Sequence, residues 1–283
     1  MIYYGINELK ALHKIRILCK AGNVSRSGYY KWLLRKDQES KDTVLIEKIM
    51  ALQKKVKYTY GYRKITSKVN KDSSRKTNGK KILRIMRENK LLSVIRRKRK
   101  WYGSTTGEPK GNILNRNFHT DSPDKIFVAD VTEIKIKQKK IYLSAIMDIY
   151  NNELVTYRIG SQNTLGLVLR TVDKLISVKG SMLEGSLFHS DQGFQYTSNY
   201  TKDKLADSGI IQSMSRSGNP LDNACIENFF GILKTEILYN ITLRYNSVDH
   251  FQRELVKWIE FYNNERIQAK LNYLSPIEYK KAT

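Results

Sequence analysis

Three carboxylates occupy three different settings along this 283-residue chain. Asp130 falls inside a run rich in β-branched residues, Ile126 to Ile136. Asp191 follows the short apolar stretch Leu187-Phe188-His189, and Glu227 lies in a long helical pattern. Bringing them together is costly: unit charges about 4 Å apart repel by about 1 kcal/mol in water and about 4 kcal/mol at an effective dielectric near 20. Such a cluster therefore calls for cations. All-oxygen ligation suits Mg²⁺ or Mn²⁺, which keep waters and also bind phosphates. Two such ions, roughly 3.5–4 Å apart, can activate an attacking oxygen and stabilise a leaving one in an in-line displacement. Taken singly, each acid reads more simply as a solvated or salt-bridged residue. The combination, with its neighbours, favours the metal reading.

The elements that must position these acids are visible as patterns. Strands are predicted over Ile126 to Ile136, Ile141 to Met147 and Leu154 to Ile159, with a turn at Lys137-Gln138-Lys139. A helix follows over Thr164 to Ile176, then short strands at Leu187 to His189 and near Ile210-Ile211, a Ser/Gly/Asn/Pro loop over Ser213 to Pro220, and a long helix from about Asp222 to Leu238. Asp222 is the candidate N-cap of that helix. Ile226, Phe229, Phe230, Leu233 and Ile237 form its sheet-facing stripe, whereas Asn223, Glu227, Gly231 and Lys234 fall on another face. Gly231 would keep that face low, and Lys234, two turns beyond Glu227, could meet an anion. Three antiparallel strands followed by alternating helix and strand make an α/β pattern around a mixed sheet. Asp148 reads as a sheet-end residue, Glu133 as surface, His189 as a core histidine and Cys225 as a small buried residue.

The first hundred residues are helical in pattern. Ser25 is a plausible cap for the aromatic segment Ser27 to Leu33, and Leu45, Ile49, Leu52 and Val56 mark an amphipathic helix. Tyr60-Gly61-Tyr62-Arg63-Lys64-Ile65 opens a helix carrying Ile65 and Val69; after a polar break comes another with Ile82, Ile85 and Met86 inward and Lys81, Arg84 and Arg87 outward. It ends in the run Arg96-Arg97-Lys98-Arg99-Lys100. Two short helices with a basic face fit a helix-turn-helix-like DNA reader, and equally a helical pair with a solvated charged face; the basic run could be a phosphate-binding tail. The expected organisation is a helical region 1–57, a basic helix-turn-helix-like region 58–102, a Gly/Pro-containing linker 103–122 and an α/β region 123–283.

Charge follows this division. The formal net charge is +24. Residues 1–110 hold 30 basic and 8 acidic residues, a net of +22, whereas residues 111–283 carry only +2. A polyanion partner is implied, and double-stranded DNA fits better than an anionic membrane, for which no amphipathic anchor or lipidation motif is evident. Two cysteines give no disulfide framework, four scattered histidines give no zinc spacing, and no apolar run is long enough to span a membrane. These features predict a soluble, cytoplasmic, nucleoid-associated protein.

The flanking motifs carry a resemblance. Asp191 and Glu227 are separated by 35 residues, the spacing of integrase-type transposases. Phe188-His189-Ser190-Asp191-Gln192-Gly193-Phe194-Gln195-Tyr196-Thr197-Ser198, Ser213-Met214-Ser215-Arg216-Ser217-Gly218-Asn219, Asp222-Asn223-Ala224 and Glu227-Asn228-Phe229-Phe230 resemble the second-reading-frame protein of the IS-three family of bacterial insertion sequences. So do Ala129-Asp130-Val131-Thr132-Glu133, Tyr262-Asn263-Asn264 with Arg266, Leu274-Ser275-Pro276, Val24 to Tyr30 and Tyr60-Gly61-Tyr62-Arg63. Phe127 stands where the family often has Trp, Asn219-Pro220-Leu221 replaces a more usual phrase, and there is no leucine-zipper run. The resemblance implies a ribonuclease-H-like mixed sheet in which Asp130, Asp191 and Glu227 hold two Mg²⁺ (or Mn²⁺) ions. Asn223 and Lys234 would position the DNA backbone. It implies cleavage and strand transfer at insertion-sequence ends by a homo-oligomer, with the element's first-reading-frame product as a further partner.

Rival readings are a hydrolysis-only nuclease, a retroviral-like integrase and a non-catalytic DNA-binding regulator. Only His13 and Cys19 are available for the zinc module of a retroviral integrase. A pure binder would have no use for a repulsive acid cluster on a DNA-facing surface.

Overall fold

The computed structural model describes residues 2–36, 42–71, 73, 75–94, 113–114, 119–216, 220–238 and 245–283. The basic run Arg96 to Lys100, and most of the expected linker, lie outside the described residues. The chain divides into two compact units, Met1–Ala51 and Leu52–Thr283.

The first unit contains α1 (Ile2–Leu9), α2 (Ile15–Ala21), α3 (Arg26–Lys36) and the start of α4 (Thr43–Lys55). Ile6, Cys19 and Tyr29 are its buried core, with Tyr3, Leu18, Val24 and Trp32 packed around them. The Ser25 hydroxyl accepts from the Gly28 amide at 3.0 Å, the cap its residue type predicts.

In the second unit, α5 (Tyr62–Lys71) and α6 (Gly79–Glu88) pack together and bury Ile65, Val69, Ile82, Ile85 and Met86. Asn78 caps α6, its Oδ1 accepting from Lys80 at 2.8 Å. Gln53 is buried where the sequence pattern pointed to Leu52, because its amide donates to the carbonyls of Tyr60 and Leu91, at 2.9 and 2.7 Å.

The sheet is five-stranded: β1 (Ile126–Ile136), β2 (Lys139–Asp148), β3 (Glu153–Gly160), β4 (Leu187–Ser190) and β5 (Ile211–Met214), in the order β3-β2-β1-β4-β5. β1, β2 and β3 are antiparallel neighbours, whereas β4 runs parallel to β1 and β5 parallel to β4. This is the mixed, ribonuclease-H-like sheet the resemblance implies. Alternation along β1 assigns its two faces. Phe127 and Ala129 pack with α7 (Leu165–Lys179), through Val168, Val172 and Leu175. Val128, Ile134 and Ile136 pack instead with α10 (Ala224–Leu233) and α11 (Val248–Asn264), through Phe229, Phe230, Leu255 and Ile259. Leu114, in the expected linker, joins this second core, and Ser213 Oγ accepts from its amide at 3.2 Å. Three shorter helices complete the unit, α8 (Phe194–Thr197), α9 (Asn199–Asp207) and α12 (Pro276–Ala282), the last closed by a capping box between Ser275 and Glu278.

The long helix is not continuous. A 3₁₀ turn, Pro220–Asn223, precedes α10, and a π-helical turn, Lys234–Leu238, follows it. Asp222 does not cap it. Fully buried, its carboxylate takes two bonds of 2.8 Å from the Arg216 guanidinium and one of 3.0 Å from the Arg216 amide. A buried charge requires an ionic partner, and Arg216 supplies one that capping would not.

The π turn is fixed by a second buried pair. Arg266 Nη2 lies 2.6 Å from Glu236 Oε1, both side chains are 7% exposed, and Trp258 Nε1 donates to Glu236 at 3.1 Å. Beside them Tyr60 accepts from the Ile267 amide at 3.0 Å, and Lys64 Nζ sits 4.8 Å from the centre of the Tyr60 ring. Burial, reinforced by the Arg266 charge and opposed by Glu236, pushes Lys64 down to about 7.

Removing Arg266 leaves Glu236 charged and unpaired, so Arg266→Met should cost about 3–5 kcal/mol, measurable by urea unfolding. For Lys64 the unfolded chain binds more protons between about pH 7 and pH 10.5, so the penalty is full below 7 and fades as pH rises. Lys64→Met should therefore raise the melting temperature clearly at pH 6 and much less at pH 10, read by circular dichroism.

Candidate active site

Register brings the first two acids together. The parallel β1–β4 ladder ends with Ala129 opposite Ser190, so Asp130 and Asp191 are the next residues on adjacent strands. Asp130 and Thr132 interrupt the apolar face of β1 that packs on α10 and α11, and Glu227 is in the first turn of α10. All three carboxylates are half-buried.

Their proximity is electrostatic. Burial, then the charges of Asp191 and Glu227, push the Asp130 carboxyl up to about 7, against a hydrogen bond from the Val131 amide (2.6 Å) and the charge of Lys234. Among the described residues no three His, Cys, Asp or Glu side chains form a ready-made ligand cluster. The donor set is oxygen only, and a partly dry site holding three acids lowers its energy by taking up positive charge. Such residues fit an oxygen-preferring divalent cation.

Asp191 is oriented by its own loop. The Gly193 amide donates to Asp191 Oδ1 at 3.0 Å, and a Cβ added at Gly193 would stand 3.0 Å from that oxygen and 3.1 Å from Gln195 Oε1. Gln195 is itself buried and donates to Asn163 Oδ1 at 2.6 Å. Tyr196 is a residue to which the motif assigned no role. Its ring is buried, its hydroxyl has no hydrogen-bond partner among the described residues, and burial with the charges of Asp130 and Asp191 raises it well above an ordinary tyrosine. An unsatisfied buried hydroxyl close to two acids marks the inner wall of the site.

The other expected site residues divide. Lys234, half-buried at the start of the π turn, acts electrostatically on Asp130. Asn223 is 3% exposed and its amide donates to the Ala129 carbonyl at 3.3 Å, one residue before Asp130. This bond ties the start of α10 to β1 beside the carboxylates. Gly231 is buried, not on an open face. Lys81, Arg84 and Arg87 are exposed on α6, with Arg84 paired to Glu88 at 2.7 Å.

The remaining polar residues behave as their patterns suggested. Asp148 is fully buried at the sheet end, accepting from the Asp124 and Tyr150 amides at 2.8 and 2.9 Å. His189 is a core residue with Nδ1 2.9 Å from Ser213 Oγ, its pKa lowered chiefly by burial. Glu133 is exposed and bonded to Lys140 and Tyr142.

The chain is similar to known proteins over nearly its whole length. Residues 120–220 and 227–283 match models of the integrase core domain, and residues 39–99 match an HTH-like domain. The chain is 33% identical over 279 residues to the putative transposase InsK for insertion sequence element IS150 of Escherichia coli (strain K12), covering 98% of this chain and 97% of that protein. It is 32% identical over 256 residues to the transposase for insertion sequence element IS904 of Lactococcus lactis, covering 86% and 96%. Among solved structures, the HTLV-2 integrase catalytic core domain in complex with magnesium aligns at 16% identity with a TM-score of 0.45, covering 57% of this chain and 99% of that one.

Gly193→Ala should push aside the Asp191 carboxylate. A divalent cation held there should bind roughly 10- to 100-fold more weakly, measured by Mn²⁺ titration with electron paramagnetic resonance, at an unchanged melting temperature.

Proposed function

Given that the chain belongs to the integrase-core transposases of bacterial insertion sequences, we propose that Asp130, Asp191 and Glu227 are its catalytic carboxylates. As an integrase-type transposase and polynucleotidyl transferase it acts in DNA transposition. The observation that carries the assignment is the register that sets Asp130 and Asp191 side by side just past the last pair of the parallel β1–β4 ladder, with the charge of Glu227 acting on Asp130. Together they would hold Mg²⁺ or Mn²⁺, two ions at full loading, supplying the charge that stabilises the oxygens entering and leaving phosphorus.

The reaction proceeds in two displacements. Water attacks the phosphodiester at the element end; the bond from phosphorus to the 3′-oxygen breaks and frees a 3′-hydroxyl. That hydroxyl attacks a second phosphodiester, forming one phosphorus–oxygen bond as another breaks, so ATP is not needed. The chain's own residues orient this chemistry. The Gly193 amide holds Asp191, Asn223 fixes the start of α10 to β1, and Lys234 steers a phosphate toward the carboxylates.

Organisation of the whole chain follows from the same reading. The helix-turn-helix-like region, with Lys81, Arg84, Arg87 and the run Arg96 to Lys100, holds terminal-repeat DNA, a linker over 103–122 follows, and residues 123–283 carry the chemistry. Bridging two ends and a target requires at least two protomers, and the first-reading-frame product of the element is a candidate partner. Among the described residues no helix is long and apolar enough to cross a membrane.

Asp191→Asn and Glu227→Gln should each reduce Mg²⁺-dependent cleavage and joining of element-end DNA by more than about a thousandfold. Binding of the same DNA should be retained. Joining at the wild-type rate by either variant, on sequencing gels, overturns the assignment.

A further inference from the structure

β1 and β2 run on well past their neighbour. β4 pairs with Ile126 to Ala129 only, and among the described residues no strand covers that edge of β1 from Asp130 to Ile136. The uncovered edge therefore begins at the carboxylates and ends at the β1–β2 turn. That turn is basic: Lys135, Lys137, Lys139 and Lys140 fall within six residues, in a region, 111–283, whose net charge is only +2. A hollow of about 450 Å³ lies along the edge, lined by Glu133, Lys135, Lys137, Lys234, Leu238 and Tyr245.

The charges here are not arranged for stability. Lys135 stands directly opposite Lys140 in the antiparallel register, and like charges facing each other across strands are destabilising. Lys140 bonds to Glu133 at 3.1 Å, which neutralises the single acid lining the hollow. Lys137 Nζ donates to the Asn246 carbonyl at 2.6 Å, a neutral partner that orients the ammonium without cancelling its charge. Lys137 also holds a backbone φ of 54°, a left-handed conformation uncommon for a side chain of this kind. A turn that stacks lysines against one another, beside a hollow that Lys234 also lines, suits an external polyanion.

We propose that the uncovered edge of β1 is a DNA track, in which Lys135 and Lys137 bind backbone phosphates of the strand whose scissile phosphate lies at Asp130, Asp191 and Glu227. Lys135 is five residue steps along the strand from Asp130, about 17 Å at roughly 3.3 Å each, or about five steps of a duplex strand at 3.4 Å per charge. Lys234 lies between the two ends of the track, acting on both Asp130 and Glu133. This assignment rests on the proposed catalytic role of those carboxylates, and adds a contact region that positions DNA without touching the reacting atoms.

The test uses the full chain and a fluorescein-labelled duplex of the element's own end, with Ca²⁺ in place of Mg²⁺ to hold back chemistry. Binding is measured by anisotropy between 50 and 200 mM salt for wild type and Lys135→Ala/Lys137→Ala. Loss of two phosphate contacts should flatten the slope of log affinity against log salt by about 1.8 for duplex, or about 1.4 if the strand is single there. At 1.8, wild-type affinity falls about twelvefold more than that of the variant over this range. The melting temperature should stay level or rise, since a like-charge pair is removed, which separates the effect from misfolding. A control, Lys125→Ala/Lys202→Ala, changes two exposed lysines away from the track and should leave the slope unchanged. An unaltered slope in the Lys135/Lys137 variant, or an equal change in the control, overturns the proposal. Because this readout needs no catalysis, its failure is distinguishable from that of the Glu227→Gln joining assay, which tests the catalytic assignment on which the track rests.

Discussion

The parallel register of β1 and β4 is the constraint on which the rest of the site depends. Asp130 and Asp191 are 61 positions apart in the chain, yet pairing Ala129 with Ser190 makes them neighbours. Parallel strands need a long crossover; here the path from β1 to β4 runs through β2, β3 and α7, and packing α7 against Phe127 and Ala129 holds the register. A slip of one residue would turn one acid into the opposite core.

Gathering acids at that point is unfavourable in itself, and the surroundings offset it by polar means. Amides of Val131 and Gly193 donate to the carboxylates, and α10 is fastened to β1 through Asn223. Two ion pairs, the half-buried Arg216–Asp222 before α10 and the buried Arg266–Glu236 after it, hold both approaches to the helix. Paired charges of this sort contribute little net stability compared with apolar substitutes, but breaking one is costly. They enforce one geometry for the helix that carries Glu227.

Much of this arrangement was legible in the sequence, because hydrophobic periodicity reports burial directly. The β1 strand and the sheet-facing stripe of α10 follow from it, and the acids stood out through the motifs around them. What periodicity cannot see are polar groups whose partners are remote in sequence. Gln53, with two carbonyl acceptors, takes the buried position that an apolar pattern gave to Leu52. Asp222 looks like a cap by position and is an ion-pair partner by environment. Asn223, which the resemblance sets beside the DNA backbone, also bonds to a carbonyl 94 residues away, a contact with no local signal. Arg266 belonged to a recognised motif, but its partner Glu236 had no local signature.

The π turn at Lys234–Leu238 sets a rule on insertion and deletion in this chain. Each residue added to or removed from an α-helix rotates everything beyond it by about 100°. Up to Leu233 the helix packs on the sheet and on α11, and within the wide turn Glu236 is held by Arg266 and Trp258. The separation of Glu227 from Glu236 is thus set by geometry as firmly as the identity of either residue.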